Sequence, residues 1–583
     1  MSATYRWDYT ALFPTPEAYR AALEELKSRA EAIAAWRERL PSLDEKGFLE
    51  LVAAIEAFTE LAHRARAYAL LHFYEDSGSE TAQAEAARVN NLLGELGTKT
   101  LFFELWWQGL EDDRAAAFLA AAGERYRYWL EELRAWRPYT LSEEAERAIQ
   151  LKNVAARAHA RTYSVLNDRY RIAFEVEGRR VEIQKSELGR YTHDPRPEVR
   201  RAAYDAALGL YEGEALVLGE LYRLVVQDWQ NEYVKLRGFA APIAARNKMN
   251  DLPDPVVEAL LAAVRAEAAT FAPYFALKAR ALGTDRLARY DLYAPLAASE
   301  RRFDFEEARA LVARAYRAFD PEFAELAERV VAERHVDVFP RPGKRAGAFS
   351  YGPVPGVTPY LLLNFQGEAR DVATLAHELG HAIHALLAAE HPVFTFHAPL
   401  PLAEMASTFG EILLTDRLLE EEQDPALKAQ VLAHQLDHAY ATVVRQAFFA
   451  LFEIEAHRLL AEGAPLSQAH AAYLATLREQ FGGAVEVPEA FRYEWLMVPH
   501  FYHTPFYVYA YAFGQLLVYA LYRRYQEEGP AFVPRLKRLL RAGGSVPPVE
   551  LLAREGFDVA DPGFWKQGFR FLSERIEALE RLV

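Results

Sequence analysis

A helical period runs through most of the 583 residues and sets the class of fold. In Ala21-Ala22-Leu23-Glu24-Glu25-Leu26 and Leu311-Val312-Ala313-Arg314-Ala315-Tyr316, strong helix formers dominate and apolar residues recur every three or four positions. The pattern predicts a mainly α protein, and no fixed-period repeat marks a solenoid. A chain of this length exceeds one ordinary core, so several domains or one large lobed helical body is expected. Thr140-Leu141-Ser142-Glu143 has the form of a capping box opening a helix. Two regions break the period. Arg169 to Gln184 alternates through Arg171-Ile172-Ala173-Phe174-Glu175-Val176, turns at Gly178 and resumes at Val181, which reads as a hairpin. His335 to Gly367 holds Val336-Asp337-Val338-Phe339, Gly347-Ala348-Phe349-Ser350 and Tyr360-Leu361-Leu362-Leu363 around a Gly/Pro-rich turn, which reads as a small antiparallel β-sheet.

Composition narrows the chemistry. A net charge of −16 argues against a nucleic-acid partner, which calls for a basic face. With no cysteine, disulfides, iron–sulfur clusters and cysteine nucleophiles are excluded, and a metal has to be held by His, Asp or Glu. The first residues lack the basic-then-apolar order of a signal peptide. The longest nearly apolar run, Phe506 to Tyr522, contains Gly514, Gln515 and several tyrosines, and reads as a buried or cleft-lining helix rather than a membrane span. A cytoplasmic protein with no membrane partner is the expectation.

The segment Asp371 to His384 contains His377-Glu378-Leu379-Gly380-His381. On a helix, residues four apart lie about 40° apart around the axis and about 6 Å along it. His377 and His381 can therefore grip one metal ion from a single face, with Asp371 as the expected N-cap. Glu378 is offset from that face and can reach a water beside the metal. A hydrolytic zinc site needs a third protein ligand and one open position. Glu390, His391, His397, Glu404 and Glu411 are the candidates downstream. Pro392 and Pro399 break the chain, so a new helix is expected near Pro401. An antiparallel return would bring Glu404 beside the histidines, whereas His391 and His397 fall in the loop. Glu411, seven residues past Glu404, could orient a ligand histidine from behind, and His384 could support the set or simply pack.

His377-Glu378-x-Gly380-His381-x-x-His384, followed by Glu404-Met-Ala-Ser-x-x-x-Glu411, resembles the thimet oligopeptidase family of zinc peptidases, and most closely its oligoendopeptidase F branch. Trp7-Asp8 with Leu12-Phe13-Pro14, His193-Asp194-Pro195 to Arg200, Gly347-Ala348-Phe349, and Pro499-His500-Phe501-Tyr502 to Tyr511 are similar to that branch as well. The resemblance implies a zinc endopeptidase that cuts short unfolded peptides in a deep channel of a two-lobed helical body. It implies one Zn2+ held by His377, His381 and Glu404, with Glu378 as general base. The expected organisation is an N-terminal helical lobe over 1–195, including the hairpin near 169–184, and a catalytic lobe over 196–583, the two interwoven.

His503, Tyr507 and Tyr511 are spaced four apart and are expected on one helical face, with His500 extending it. By the resemblance, Tyr507 and His503 first, then His500, stand at the transition state and the substrate backbone, with Tyr509 and Tyr511 as competing assignments and Tyr511 at the substrate. Gly347, Ala348 and Phe349 resemble a strand edge that pairs with the peptide backbone. Two rivals stand beside this reading. A metallocarboxypeptidase on a related scaffold would aim an Arg, such as Arg345 or Arg492, at the substrate's terminal carboxylate. An inactive zinc-stabilised peptide binder would have no use for Glu378.

Overall fold

The computed structural model describes residues 5–296 and 301–583. The protein is mainly α, about 73% helical, with three small sheets among the described residues. The chain folds into two compact units. The first comprises 1–138, 301–417 and 527–555; the second comprises 139–300, 418–526 and 556–583. Neither is one continuous stretch. The first division follows Pro138 rather than 195, because the helix Glu143–Arg169 packs on the helices Ala215–Trp229 and Pro499–His503 of the second unit.

Local chemistry explains the elements. Thr15 caps the helix Pro16–Ala34 by accepting the Ala18 N–H at 3.2 Å. The helix Glu143–Arg169 is capped by Ser142, which accepts the Ala145 N–H, and not by Thr140. The hairpin forms as expected: β1 (Ile172–Val176) pairs antiparallel with β2 (Arg179–Ile183), Ile172 opposite Ile183. Its tight turn places Glu177 and Gly178 at positive φ. In the second unit β3 (Leu287–Ala288) pairs with a late strand over Val485–Glu486. The apolar run near the C-terminus is the core helix Tyr509–Glu528, buried almost without a break from Tyr509 to Tyr522.

The first unit holds β4 (Val336–Asp337), β5 (Phe349–Tyr351) and β6 (Tyr360–Leu362), ordered β4–β6–β5. The expected all-antiparallel sheet is corrected here: β5 runs antiparallel to β6, but β4 runs parallel to it. The connection from β4 folds back on buried Asp337, which accepts from Lys344 Nζ at 2.8 Å and from Arg341 at 2.6 and 2.7 Å. That tether sends β5 to the far side of β6, where it forms an edge. The N-terminal Trp-Asp motif clamps the sheet. Trp7 Nε1 donates to the Leu361 carbonyl at 2.8 Å, and the Tyr360 hydroxyl donates to the Asp8 carbonyl at 2.9 Å.

Candidate functional site

The helix Ala369–Leu387 carries His377, Glu378, His381 and His384. Its N-cap is Glu368, in a reciprocal box with Asp371, so Asp371 stands at the third helical position rather than at the cap. Glu404 follows the short helix Leu400–Ala403 and directly precedes the helix Met405–Glu421. The helices Ala369–Leu387 and Met405–Glu421 approach unusually closely at Gly380. A Cβ there would sit 2.5 Å from the Ser407 Cα and 2.6 Å from the Ala406 carbonyl oxygen. The glycine inside the motif is what brings Glu404 to the histidines.

Among the described residues, His377, His381 and Glu404 form the one group of three potential metal ligands, their ligand atoms all within 4.8 Å of one another. Glu404 Oε2 lies 3.3 Å from His377 Nε2 and 3.4 Å from His381 Nε2, and the two nitrogens are 3.1 Å apart. His377 Nδ1 donates to Glu411 Oε1 in a short contact, which turns Nε2 toward Glu404 and His381. Ser407 Oγ donates to Glu404 Oε2 at 2.9 Å and fixes that carboxylate. Two imidazole nitrogens and one carboxylate oxygen face a common point, and the His377 ring and the Glu404 carboxylate are already held by hydrogen bonds. That donor set suits a small divalent cation such as zinc.

The electrostatics divide the two glutamates. Burial pushes the Glu378 carboxyl up, against the opposing pull of His377 and His381. Burial also acts on Glu404, but hydrogen bonds from His377 and His381 outweigh it and hold that carboxyl well below the usual carboxylate range. His384 is buried, and burial with the neighbouring His381 and His397 lowers its imidazole to about 4.

A cavity of about 360 Å3 opens on these groups, lined by His377, Glu378, His381, His384 and Glu404 on one side and by Ala348, Phe349 and Ser350 on another. Thus two of the three residues of the expected substrate edge face the metal group. Gly347 instead joins Ala348 in an adjoining groove of about 330 Å3 with Asn364 and Thr374. Gly347 is at φ +84°, and its carbonyl accepts from Asn364 Nδ2 at 2.7 Å. His397 lines the cavity, whereas His391 turns away to the Arg541 carbonyl at 2.7 Å. Sequence reasoning missed what holds this loop: the Gly544 N–H donates to the Thr395 carbonyl at 2.8 Å, and a Cβ at Gly544 would collide with the His397 carbonyl oxygen. Adjacent glycines at 543 and 544 were the available signal. A larger cavity of about 630 Å3 lies elsewhere in the first unit, by Tyr19, Tyr68 and His72, but Arg20, Arg88 and Arg341 on its wall are already paired with carboxylates.

The 500–511 segment belongs to the second unit and is not one helical face. A helix ends at His503, a turn spans 504–508, and the next helix starts at Tyr509. Pro505 lacks the N–H that a continuous helix needs, and Phe506 sits at φ +58°. The break keeps three of the four residues together and removes His503. The rings of His500 and Tyr507 stack at 5.9 Å, Tyr507 meets Tyr511 edge-on at 5.3 Å, and the Tyr511 hydroxyl lies 3.3 Å from His500 Nε2. His503 leaves this cluster: it is exposed, and its Nε2 lies 3.1 Å from Ser164 Oγ. Burial, then the like charge of His503, lowers the His500 imidazole. Tyr509 is core, its hydroxyl accepting from Asn250 Nδ2 at 2.9 Å. Arg492 pairs with Glu489, and Arg345 lies over the Tyr74 and Phe349 rings. The His193 to Arg200 motif is structural: Arg200 is fully buried, with Nε 3.0 Å from Asp291 Oδ1 and Nη1 donating to the carbonyls of Asp194 and Pro195.

Comparison with known proteins finds relatives along the whole chain. Residues 190–571 match the model of peptidase family M3, and residues 106–169 match that of Oligopeptidase F. Oligopeptidase PepF of Bacillus subtilis (strain 168) is 27% identical over 588 residues, covering 99% of this chain and 87% of that protein. The crystal structure of a Chlamydophila abortus protein matches with a TM-score of 0.89 at 25% identity, over 100% of this chain and 99% of the other. The crystal structure of oligoendopeptidase-F from Enterococcus faecium matches with a TM-score of 0.74 at 24% identity, over 97% and 99%.

Proposed function

The chain belongs to peptidase family M3, and from that premise we propose that it is a zinc-dependent oligoendopeptidase cutting internal bonds of short unfolded peptides. The observation that carries this reading is the convergence of His377, His381 and Glu404 on one point beside buried Glu378, in a cavity bordered by a strand edge. These three side chains would hold the ion, which when bound polarises the scissile carbonyl and lowers the pKa of an attacking water to about 7.

The chain's own groups supply the rest. Glu378 takes the proton from the attacking water and returns it to the leaving amine. Burial raises its carboxyl above the ordinary range, which makes it a stronger base than an exposed glutamate. Glu411 holds His377 in the required tautomer. The edge at Ala348 and Phe349 offers backbone N–H and C=O groups to an extended peptide, a mode that reads little side-chain sequence. From the family resemblance we assign Tyr507 to the developing oxyanion, with His500, His503 and Tyr511 along the substrate. A cytoplasmic location fits such a substrate pool.

The test is digestion of short peptides, half of them blocked at both termini, by wild type, chelated protein and Glu378→Gln, read by mass spectrometry. Internal cuts in blocked peptides that vanish on chelation and in the variant are expected. Trimming confined to free C-termini would overturn the endopeptidase assignment in favour of a carboxypeptidase. No cleavage by zinc-loaded wild type would point to a peptide binder.

A further inference from the structure

A sealed polar group lies directly behind the turn that carries Tyr507. Glu453 and His457, one turn apart on the helix Gln446–Ala461, are both fully buried, as is Tyr222 on Ala215–Trp229. Glu453 Oε1 accepts the Phe506 N–H at 3.0 Å. Glu453 Oε2, both ring nitrogens of His457 and the Tyr222 hydroxyl have no hydrogen-bond partner among the described residues. The His457 ring packs on the Phe506 ring, centroids 4.4 Å apart. From the other side Arg246 Nε donates to the Pro505 carbonyl at 3.0 Å.

Burying a carboxyl with one oxygen unpaired costs stability that an apolar side chain of similar size would not. So does holding a phenylalanine at φ +58°, since the left-handed region crowds any Cβ. Both costs fall at one peptide group, the N–H of Phe506, and the next residue is Tyr507. We propose that Glu453 is a positioning residue: by accepting the Phe506 N–H it fixes the left-handed turn at 505–507 and thereby the placement of the Tyr507 ring for the reaction. The inference rests on the proposed peptidase reading and on the role assigned there to Tyr507.

The chemistry of the group fits a hydrogen-bonding part rather than a charged one. Burial raises the Glu453 carboxyl to about 8, against the pull of the Phe506 N–H and Arg246. Near neutrality it is therefore mostly an uncharged acid, with Oε1 still an acceptor. Glutamine reproduces that acceptor; leucine fills the same space without it.

The experiment compares wild type, Glu453→Gln, Glu453→Leu, Tyr507→Phe and the Glu453→Leu/Tyr507→Phe double variant on a doubly blocked peptide, with zinc content measured for each. Glu453→Gln should keep kcat within about twofold. Glu453→Leu should lose at least tenfold in kcat with KM and zinc content little changed, and the double variant should be no slower than Tyr507→Phe. Hydrogen exchange at the Phe506 amide, which needs no activity, should be slow in wild type and Glu453→Gln and fast in Glu453→Leu. Wild-type kcat in Glu453→Leu, an equal loss in Glu453→Gln, or losses that multiply in the double variant would overturn the proposal. Failure of wild type to cut the peptide would instead count against the peptidase reading. In that case unchanged Phe506 exchange in Glu453→Leu would still refute the part played by Glu453.

Discussion

Glu378 and Glu404 are the same side chain bordering the same cavity, yet their surroundings drive them in opposite directions. Glu378 has burial without a hydrogen-bonded cation; Glu404 has two imidazoles on one oxygen. Glu378→Gln should therefore lower kcat by about 10²–10⁴ while leaving zinc content at one ion per chain, measured by steady-state kinetics and elemental analysis. Glu411→Leu should weaken zinc binding by about 10–100-fold, read by chelator competition, because it strips the acceptor from His377 Nδ1. Away from this site, Glu453 makes stability depend on pH. Its carboxyl ionises at about 8 in the folded protein against 4.5 ordinarily. Its contribution is complete below pH about 4.5 and is lost as pH rises toward 8, because the unfolded chain releases a proton that the folded one keeps. The melting temperature of Glu453→Gln relative to wild type should accordingly rise between pH 5 and pH 9. At this scale the sequence spoke clearly only where chemistry demands a fixed spacing. His377, Glu378 and His381 could be read off directly, whereas Glu453 is one of many glutamates until the fold sets it beneath Phe506.

At the scale of elements, helical period and turn residues were legible and pairings across space were not. The hairpin followed from alternation and Gly178, and the sheet's location followed from its flanking glycines and prolines. The parallel pairing of β4 depends on where the Asp337 tether sends the chain, which no local pattern encodes. Spacing misled most at 500–511. An i, i+4 series predicts a shared face only while the helix continues, and Pro505 ends it, so His500 joins Tyr507 and Tyr511 while His503 departs. Gly380 carries the converse lesson, since a glycine inside a helix reads as a weakness until the neighbouring helix is seen against it. Gly380→Ala should cost about 1–3 kcal/mol or more and loosen zinc binding, because the 369–387 and 405–421 helices must separate. Thermal unfolding in excess zinc and in chelator would show it as a lower midpoint in both and a smaller gap between them.

At the scale of the molecule, the first unit is assembled from three separate stretches of chain. Its N-terminal stretch packs on the sheet through Trp7, Asp8 and Tyr360, and its last stretch anchors the cavity loop through Gly544 and Arg541. A fragment of residues 1–138 alone should therefore melt without a sharp transition, and coexpression with 301–417 and 527–555 should restore cooperativity in circular dichroism. A sharp melt of the fragment by itself would show that its own helices suffice. The same layout sets an order on synthesis. A ribosome releases the ligand histidines long before it makes residues 527–555, so a truncated product carries the His377, His381 and Glu404 group without the segment that anchors the 391–397 loop. A stalled chain should therefore hold the His377, His381 and Glu404 group beside an unanchored loop, which gains its hold only once Arg541 and Gly544 have been made.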